Sequence, residues 1–229
     1  NVVIPSFAVG RTQELLFVLT RLTREGRLHG LNVHVDSPMA LAATEVTLRH
    51  PELLDGEAHE LMAWQKGHPK DPRIHFVQDV EESMALNTVR GGAIVISASG
   101  MCEAGRIKYH LLHNLPRPEC AIVIVGFQAA GTLGRRLVDG ARRVTLFGKS
   151  VQVRATIHTI GGLSAHADQA ALLGWLRGFR HPPRQTFVVH GELETAQYFA
   201  GKIRDDLGWT RVDVPAQGDQ ANIETRNME

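Results

Sequence analysis

Aromatic residues are scarce in this chain: Phe, Trp and Tyr make up 6% of its 229 residues. A surface that grips nucleobases by stacking would have few rings to use, and the loop-placed ones are Phe7 and Phe127. Cysteine is scarcer still. Cys102 and Cys120 cannot build a disulfide scaffold and are not spaced as a CxxC metal hook. Two reduced thiols in an intracellular, cytoplasmic protein are expected. No apolar run approaches the roughly 18 residues of a membrane span, so no membrane partner is expected. No signal peptide is expected either. An excess of one charge is also missing: Lys+Arg 25 against Asp+Glu 24 gives +1, so overall charge names no partner. A hydrophobic fraction of 43% excludes intrinsic disorder. The length allows one or two domains, at roughly 100–200 residues each.

What the chain has in abundance is a repeated pattern of short apolar run, turn and amphipathic stretch. Strands are expected at residues 2–4, 31–35, 74–77, 93–97 and 121–125, with helices at 13–24, from Pro38 to before Pro51, and at 55–66. Residues 93–97 and 121–125 are β-branched and too short for helices, and they read as central parallel strands covered on both faces. Strands alternating with helices predict an α/β sheet with helical crossovers. The texture changes near residue 145. Beyond it, strands are expected at 144–147 and 151–160, joined by a turn at Gly148-Lys149. A helix at 169–177, a strand at 186–189, a helix at 193–207 and a strand at 212–214 follow. The polar tail after Gln217 is expected to fray. The chain opens at Asn1 directly into a strand-like run, as expected for a piece of a longer protein.

In open parallel sheets, ligands bind beyond the carboxyl ends of the strands. Glycine and small polar residues cluster there: Pro5-Ser6-Phe7-Ala8-Val9-Gly10-Arg11, Asp36-Ser37-Pro38-Met39, Ser97-Ala98-Ser99-Gly100-Met101 and Gly126-Phe127-Gln128-Ala129-Ala130-Gly131-Thr132. Such loops serve turns and caps in any βα unit. Four of them together favour an anion or phosphate site, because they present backbone N–H groups at helix starts. No GxGxxG or GxxxxGK[ST] fingerprint is present. A local basic excess adds to this. Arg135, Arg136, Arg142, Arg143, Lys149 and Arg154 are opposed only by Asp139. They make a solvated face or a polyanion contact.

Two histidines sit where imidazole can reach a ligand. His166 lies in a tight loop before a helix that Ser164 or Asp168 could cap. His190 ends the run Phe187-Val188-Val189 and precedes Gly191-Glu192. A neutral imidazole there suits Zn²⁺. Two histidines do not make a zinc site, and the chain has no HxH, HExxH or CxxC. His50, His59, His68 and His113 read as surface residues.

Taken in order, these segments resemble a known family. Ser164-Ala165-His166-Ala167-Asp168 followed by Val189-His190-Gly191-Glu192, together with the four strand-end segments, is similar to the metallo-β-lactamase-fold nucleases that carry a β-CASP insertion. The resemblance runs from about residue 1 to 215. It implies an α/β fold: a parallel-sheet β-CASP domain with helices on both faces over residues 1–145, then a partial metallo-β-lactamase (αββα) segment over 146–229. It implies that His166 contacts the scissile phosphate and helps protonate the leaving group, and that His190 ligates one of two zinc ions. It implies that Arg11, Asp36, Ser37, Ser99, Gly100, Met101 and Gln128 line a cleft for single-stranded RNA. In the family the two metals share a hydroxide that attacks phosphorus in line.

The family's HxHxDH signature and most of its metal ligands are absent here, and of the ligand set only His190 remains. The expectation is therefore a fragment of a zinc-dependent ribonuclease, exo- or endonucleolytic, inactive alone and holding no zinc alone. A homodimer is possible through apolar surface left without its docking partner. The alternative is a non-catalytic nucleic-acid or phosphate-binding module using the same loops without metal. A small-molecule enzyme of the doubly wound class is disfavoured by the missing nucleotide fingerprints.

Overall fold

The apolar runs become neighbours in one parallel sheet. In this computed structural model, which describes residues 1–163 and 166–222, the elements alternate from the start. They are β1 (Val2–Pro5), α1 (Arg11–Arg24), β2 (Asn32–Asp36), α2 (Pro38–Arg49), α3 (Gly56–Gly67), β3 (Arg73–Phe76), α4 (Val80–Leu86), β4 (Ala93–Ser97), α5 (Ile107–Asn114), β5 (Ala121–Val125) and α6 (Leu133–Val138). A hairpin of β6 (Arg143–Leu146) and β7 (Lys149–Gln152) follows, then β8 (Thr156–Ile160). The sheet order is β3-β2-β4-β1-β5-β8, and every pairing in it is parallel.

The period-2 alternation of strand side chains divides the core into two layers. On one face Ile4, Val33, Val35, Ile94 and Ile96 pack under Leu15, Leu16 and Leu19 of α1 and Ala40 of α2. On the other, Val3, Ile122 and Ile124 pack under α5 (Ile107, Leu111), α6 (Leu133, Leu137) and the hairpin (Val144, Leu146, Val151). Leu86 of α4 covers Ala93 and Val95 on this second face, since Val95 is the register partner of Val3. A parallel sheet covered on both faces is the architecture expected from the sequence. Both cysteines are buried and unpaired. Burial, with Glu103 adjacent, pushes the Cys102 thiol up to about 12, so it is an inert core group.

Three differences from expectation have physical causes. The turn of the hairpin is Phe147-Gly148, not Gly148-Lys149. Both residues take positive φ (50° and 73°) and Leu146 pairs with Lys149, the geometry of a two-residue type I′ turn. The expected strand at 151–160 is broken, because Val153 N–H is taken by Arg142 O and the amides of Arg154 and Ala155 by Leu115 O. Helices α4, α5 and α6 were not expected; they have 7, 8 and 6 residues, too short to show a clear period.

The chain divides into two units, Asn1–Ser164 and Ala165–Glu229. The second contains α7 (Gln169–Leu176), β9 (Thr186–Phe187), α8 (Leu193–Leu207) and β10 (Val212–Asp213), with β9 and β10 parallel. Its core is Leu173, Leu176, Ala200, Ile203, Trp209 and Val212. Asp168 caps α7, accepting from Ala171 N–H at 2.8 Å. The alternative cap, Ser164, lies outside the described residues, as does the end of the expected frayed tail, 223–229. No helix among the described residues is long and apolar enough to cross a membrane.

Leu111 is fully buried between α5 and the sheet. Leu111→Ala is expected to cost about 2–5 kcal/mol, read from the urea midpoint. Leu53→Ala, at an exposed site, is expected to cost less than about 0.5 kcal/mol.

Candidate nucleic-acid interface

The order of the strands places a topological switch point beside β1. The chain leaves β1 for the face covered by α1, whereas it leaves the neighbouring β4 and β5 for the opposite face, covered by α5 and α6. Connections that diverge from adjacent parallel strands open a cleft at the strands' carboxyl ends. The same divergence separates β2, which leads to α2, from β4.

Hydrogen bonds tie the loops of this rim together. Ser6 N–H donates to Ser97 O at 3.0 Å, and Ser97 Oγ donates to the Asp36 carbonyl at 2.9 Å. Gln128, 4% exposed, donates through Nε2 to the carbonyls of Gly100 and Phe127, both at 3.1 Å. Gly134 N–H donates to Met101 O at 3.1 Å, and Leu133 N–H donates to the Glu103 carboxylate. Gly134 also lets the Gln128 amide lie close: a Cβ there would fall 1.7 Å from Gln128 Oε1. Asp36, Ser37, Ser99, Gly100, Met101 and Gln128 are thus gathered at one end of the sheet. Arg11 opens α1 at the same end, its guanidinium on Glu14 at 2.9 Å.

Among the described residues, the backbone N–H groups of Gly100, Met101, Phe127, Gln128 and Ala129 donate to no protein acceptor. Backbone donors without acceptors in loops at the carboxyl ends of parallel strands suit an anionic oxygen. The basic side chains of the following stretch point to solvent: Arg136, Arg142, Arg143, Lys149 and Arg154 are exposed. Arg135 pairs with Asp139 at 2.9 Å.

Asp36 lies behind the rim with its side chain fully buried. One carboxylate oxygen accepts from Arg106 at 2.7 Å; the other accepts from Ser83 Oγ and His110 Nε2, both at 2.6 Å. Burial alone raises its pKa, but the hydrogen bonds from His110, Ser83 and Arg106 outweigh it and hold the carboxyl below its ordinary value. The carboxylate therefore binds the end of β2 to α4 and α5. Sequence reading missed the pairing of Ser83, Arg106 and His110 with Asp36. The available signal was the i,i+4 spacing of Arg106 and His110, legible only if α5 is recognised as a helix. Ser37 Oγ caps α2, accepting from Ala40 N–H at 3.3 Å.

The two candidate histidines belong to the second unit. His190 is exposed just beyond β9 with φ 64°, a left-handed conformation uncommon outside glycine. It lines a concavity of about 350 Å³ with Val188, Val189, Leu193 and Val214. His166 is exposed, two residues before the Asp168 cap. Among the described residues, no group of three or more His, Cys, Asp or Glu side chains could hold a metal ion. His190 offers one nitrogen donor, so the described residues alone do not fit a zinc centre.

Comparison with known proteins bears on this rim. Residues 12–137 match the family model described as Beta-Casp domain. Residues 150–215 match the one described as Zn-dependent metallo-hydrolase RNA specificity domain. The chain is 41% identical over 197 residues to Ribonuclease TTHA0252 of Thermus thermophilus, covering 85% of this chain and 44% of that protein. It is 31% identical over 214 residues to Transcription termination factor FttA of Pyrococcus horikoshii (91% and 33%). It is 29% identical over 219 residues to an RNase J-like protein of Methanocaldococcus jannaschii (94% and 47%). The chain therefore spans less than half the length of each of these relatives.

Removing the buried charge that anchors the rim is expected to cost stability. Asp36→Asn leaves Arg106 and His110 without their carboxylate and is expected to lower stability by about 3 kcal/mol at pH 7. Because the folded-state pKa is depressed, this increment is complete above the unfolded carboxyl's pKa. It is lost as pH falls through the folded value. Urea titrations should therefore show the gap between wild type and variant closing in acid.

Proposed function

This chain belongs to the β-CASP family of metallo-β-lactamase-fold nucleases, and from that premise we propose that it is the RNA-gripping part of a zinc-dependent ribonuclease that hydrolyses RNA phosphodiesters. One observation carries the proposal: the unclaimed amides of residues 100–101 and 127–129 lie in the loops after β4 and β5, which Gln128 Nε2 ties together through Gly100 O at the divergent strand ends. That is where a parallel sheet takes a ligand, and phosphate oxygens are the acceptors such donors suit. The names of the relatives, a ribonuclease and a transcription termination factor, support RNA as the polymer.

In this reading residues 1–145 form the β-CASP domain and residues 146–229 return to the metallo-β-lactamase fold, a division supported by family matches over 12–137 and 150–215. Arg11, Ser37, Ser99, Gly100, Met101 and Gln128 line the path of a single strand, with Asp36 holding the rim from behind. His166 meets the scissile phosphate and delivers a proton to the leaving oxygen. His190 gives one imidazole to the zinc centre, whose remaining ligands come from sequence outside this chain.

A non-catalytic binding module is the second reading, favoured because no group of three or more metal-ligating side chains is assembled among the described residues. His190→Ala in the complete protein separates the two: the nuclease loses zinc and activity, and the module binds RNA as before.

Fluorescence anisotropy of this chain with a 5′-phosphorylated single-stranded RNA tests the proposal. Affinity is expected to fall steeply with salt, with no RNA hydrolysis on adding zinc. Absence of binding would overturn the RNA reading, and robust zinc-dependent hydrolysis by this chain alone would overturn the fragment reading.

A further inference from the structure

Two phenyl rings on the rim are largely exposed. Phe7, in the loop after β1, is 51% exposed, and Phe127, in the loop after β5, is 66% exposed. In a chain with so few aromatics such exposure is a costly use of a ring. The other exposed pair in this unit is already spent: Tyr109 and Phe147 stack at 4.5 Å, with Lys108 over Phe147. Neither Phe7 nor Phe127 has a ring or cation partner among the described residues.

Phe7 through its ring and Phe127 through its carbonyl are tied to the loops that carry the unclaimed amides. The Phe7 ring lies over Gly100: a Cβ there would sit 3.1 Å from two of its carbons, so the absence of a side chain makes room for the ring. The Phe7 backbone is fixed by its carbonyl, which accepts from Thr12 Oγ1 at 2.7 Å and Thr12 N–H at 3.2 Å. The carbonyl of Phe127 accepts from Gln128 Nε2, which also holds the carbonyl of Gly100. Strands β1 and β5 are neighbours in the sheet. The backbones that carry the rings are therefore fixed before any ligand arrives, which lowers the entropy cost of binding.

We propose that Phe7 and Phe127 are nucleobase seats, each taking one base of a single-stranded RNA by stacking, beside the amides that take its phosphates. The inference rests on the reading of the rim as an RNA interface. Stacking on a phenyl face tolerates every base, so these seats select single strands, whose bases are free, over duplexes, without reading sequence.

The test uses the 229-residue chain and two probes of equal length: a single-stranded RNA, and a ribose-phosphate strand without bases. Wild type is expected to bind the RNA more tightly than the abasic strand. Phe7→Leu and Phe127→Leu keep apolar bulk and lose the π-face. Each is expected to weaken RNA binding about tenfold, with abasic binding and the salt slope unchanged. In Phe127→Trp, the indole emission should be quenched by RNA and not by the abasic strand. Equal wild-type affinity for the two probes, or parallel loss of both in the Leu variants, would overturn the seats and leave the phosphate-binding rim intact. Binding of neither probe by wild type would remove the interface reading and the seats with it.

Discussion

An all-parallel sheet must be covered on both faces, and the way this chain meets that requirement shapes the rest of the molecule. Its central strand β1 sends its crossover to one face, while β4 and β5 on either side send theirs to the other. The loops after these strands meet at this divergence, tied by Ser6 to Ser97 and by Gln128 to Gly100, and several of their backbone donors are left without a protein acceptor among the described residues. The rim follows from how the two apolar layers are filled. The core residues Ile4, Leu15 and Leu19 on one side, and Val3, Ile107 and Leu133 on the other, set where the loops of the rim emerge.

The rim needs walls that hold their shape without a ligand. The buried Asp36 carboxylate supplies much of this, with donors from Ser83 of α4, His110 of α5 and Arg106 just before α5. An isolated carboxylate in such a place would be expensive, whereas one with a guanidinium, an imidazole and a hydroxyl on it stays ionised. Gln128 makes a second, neutral clamp from the loop after β5 to Gly100. Arg106 follows the same Ser99-Gly100-Met101 loop on which Gln128 closes, so charge and amide clamp the two ends of one segment.

The strands at 93–97 and 121–125 were legible because continuous β-branched runs have few other uses. Helix α1 was legible from Leu15, Leu16 and Leu19 at helical spacing. Strand-end loops could be named from Gly and Ser alone, and they lie where the parallel-sheet rule puts them. Helices α4, α5 and α6 were not legible, being shorter than the window in which a 3.6-residue period shows. The partners of Asp36 went with them. Asp36 and His110 are 74 residues apart in sequence, and only the folded sheet brings them together. The hairpin turn was misplaced by one residue because Phe147 does not look like a residue for positive φ.

Hydrogen–deuterium exchange of this chain, with and without saturating single-stranded RNA, tests the central claim most directly: that the strand-end rim of the parallel sheet is the RNA interface. The account expects slowed exchange at residues 100–102 and 127–129, with β3, at the far edge of the sheet, unchanged. RNA-dependent protection confined to other segments, with the rim amides exchanging as before, would contradict it.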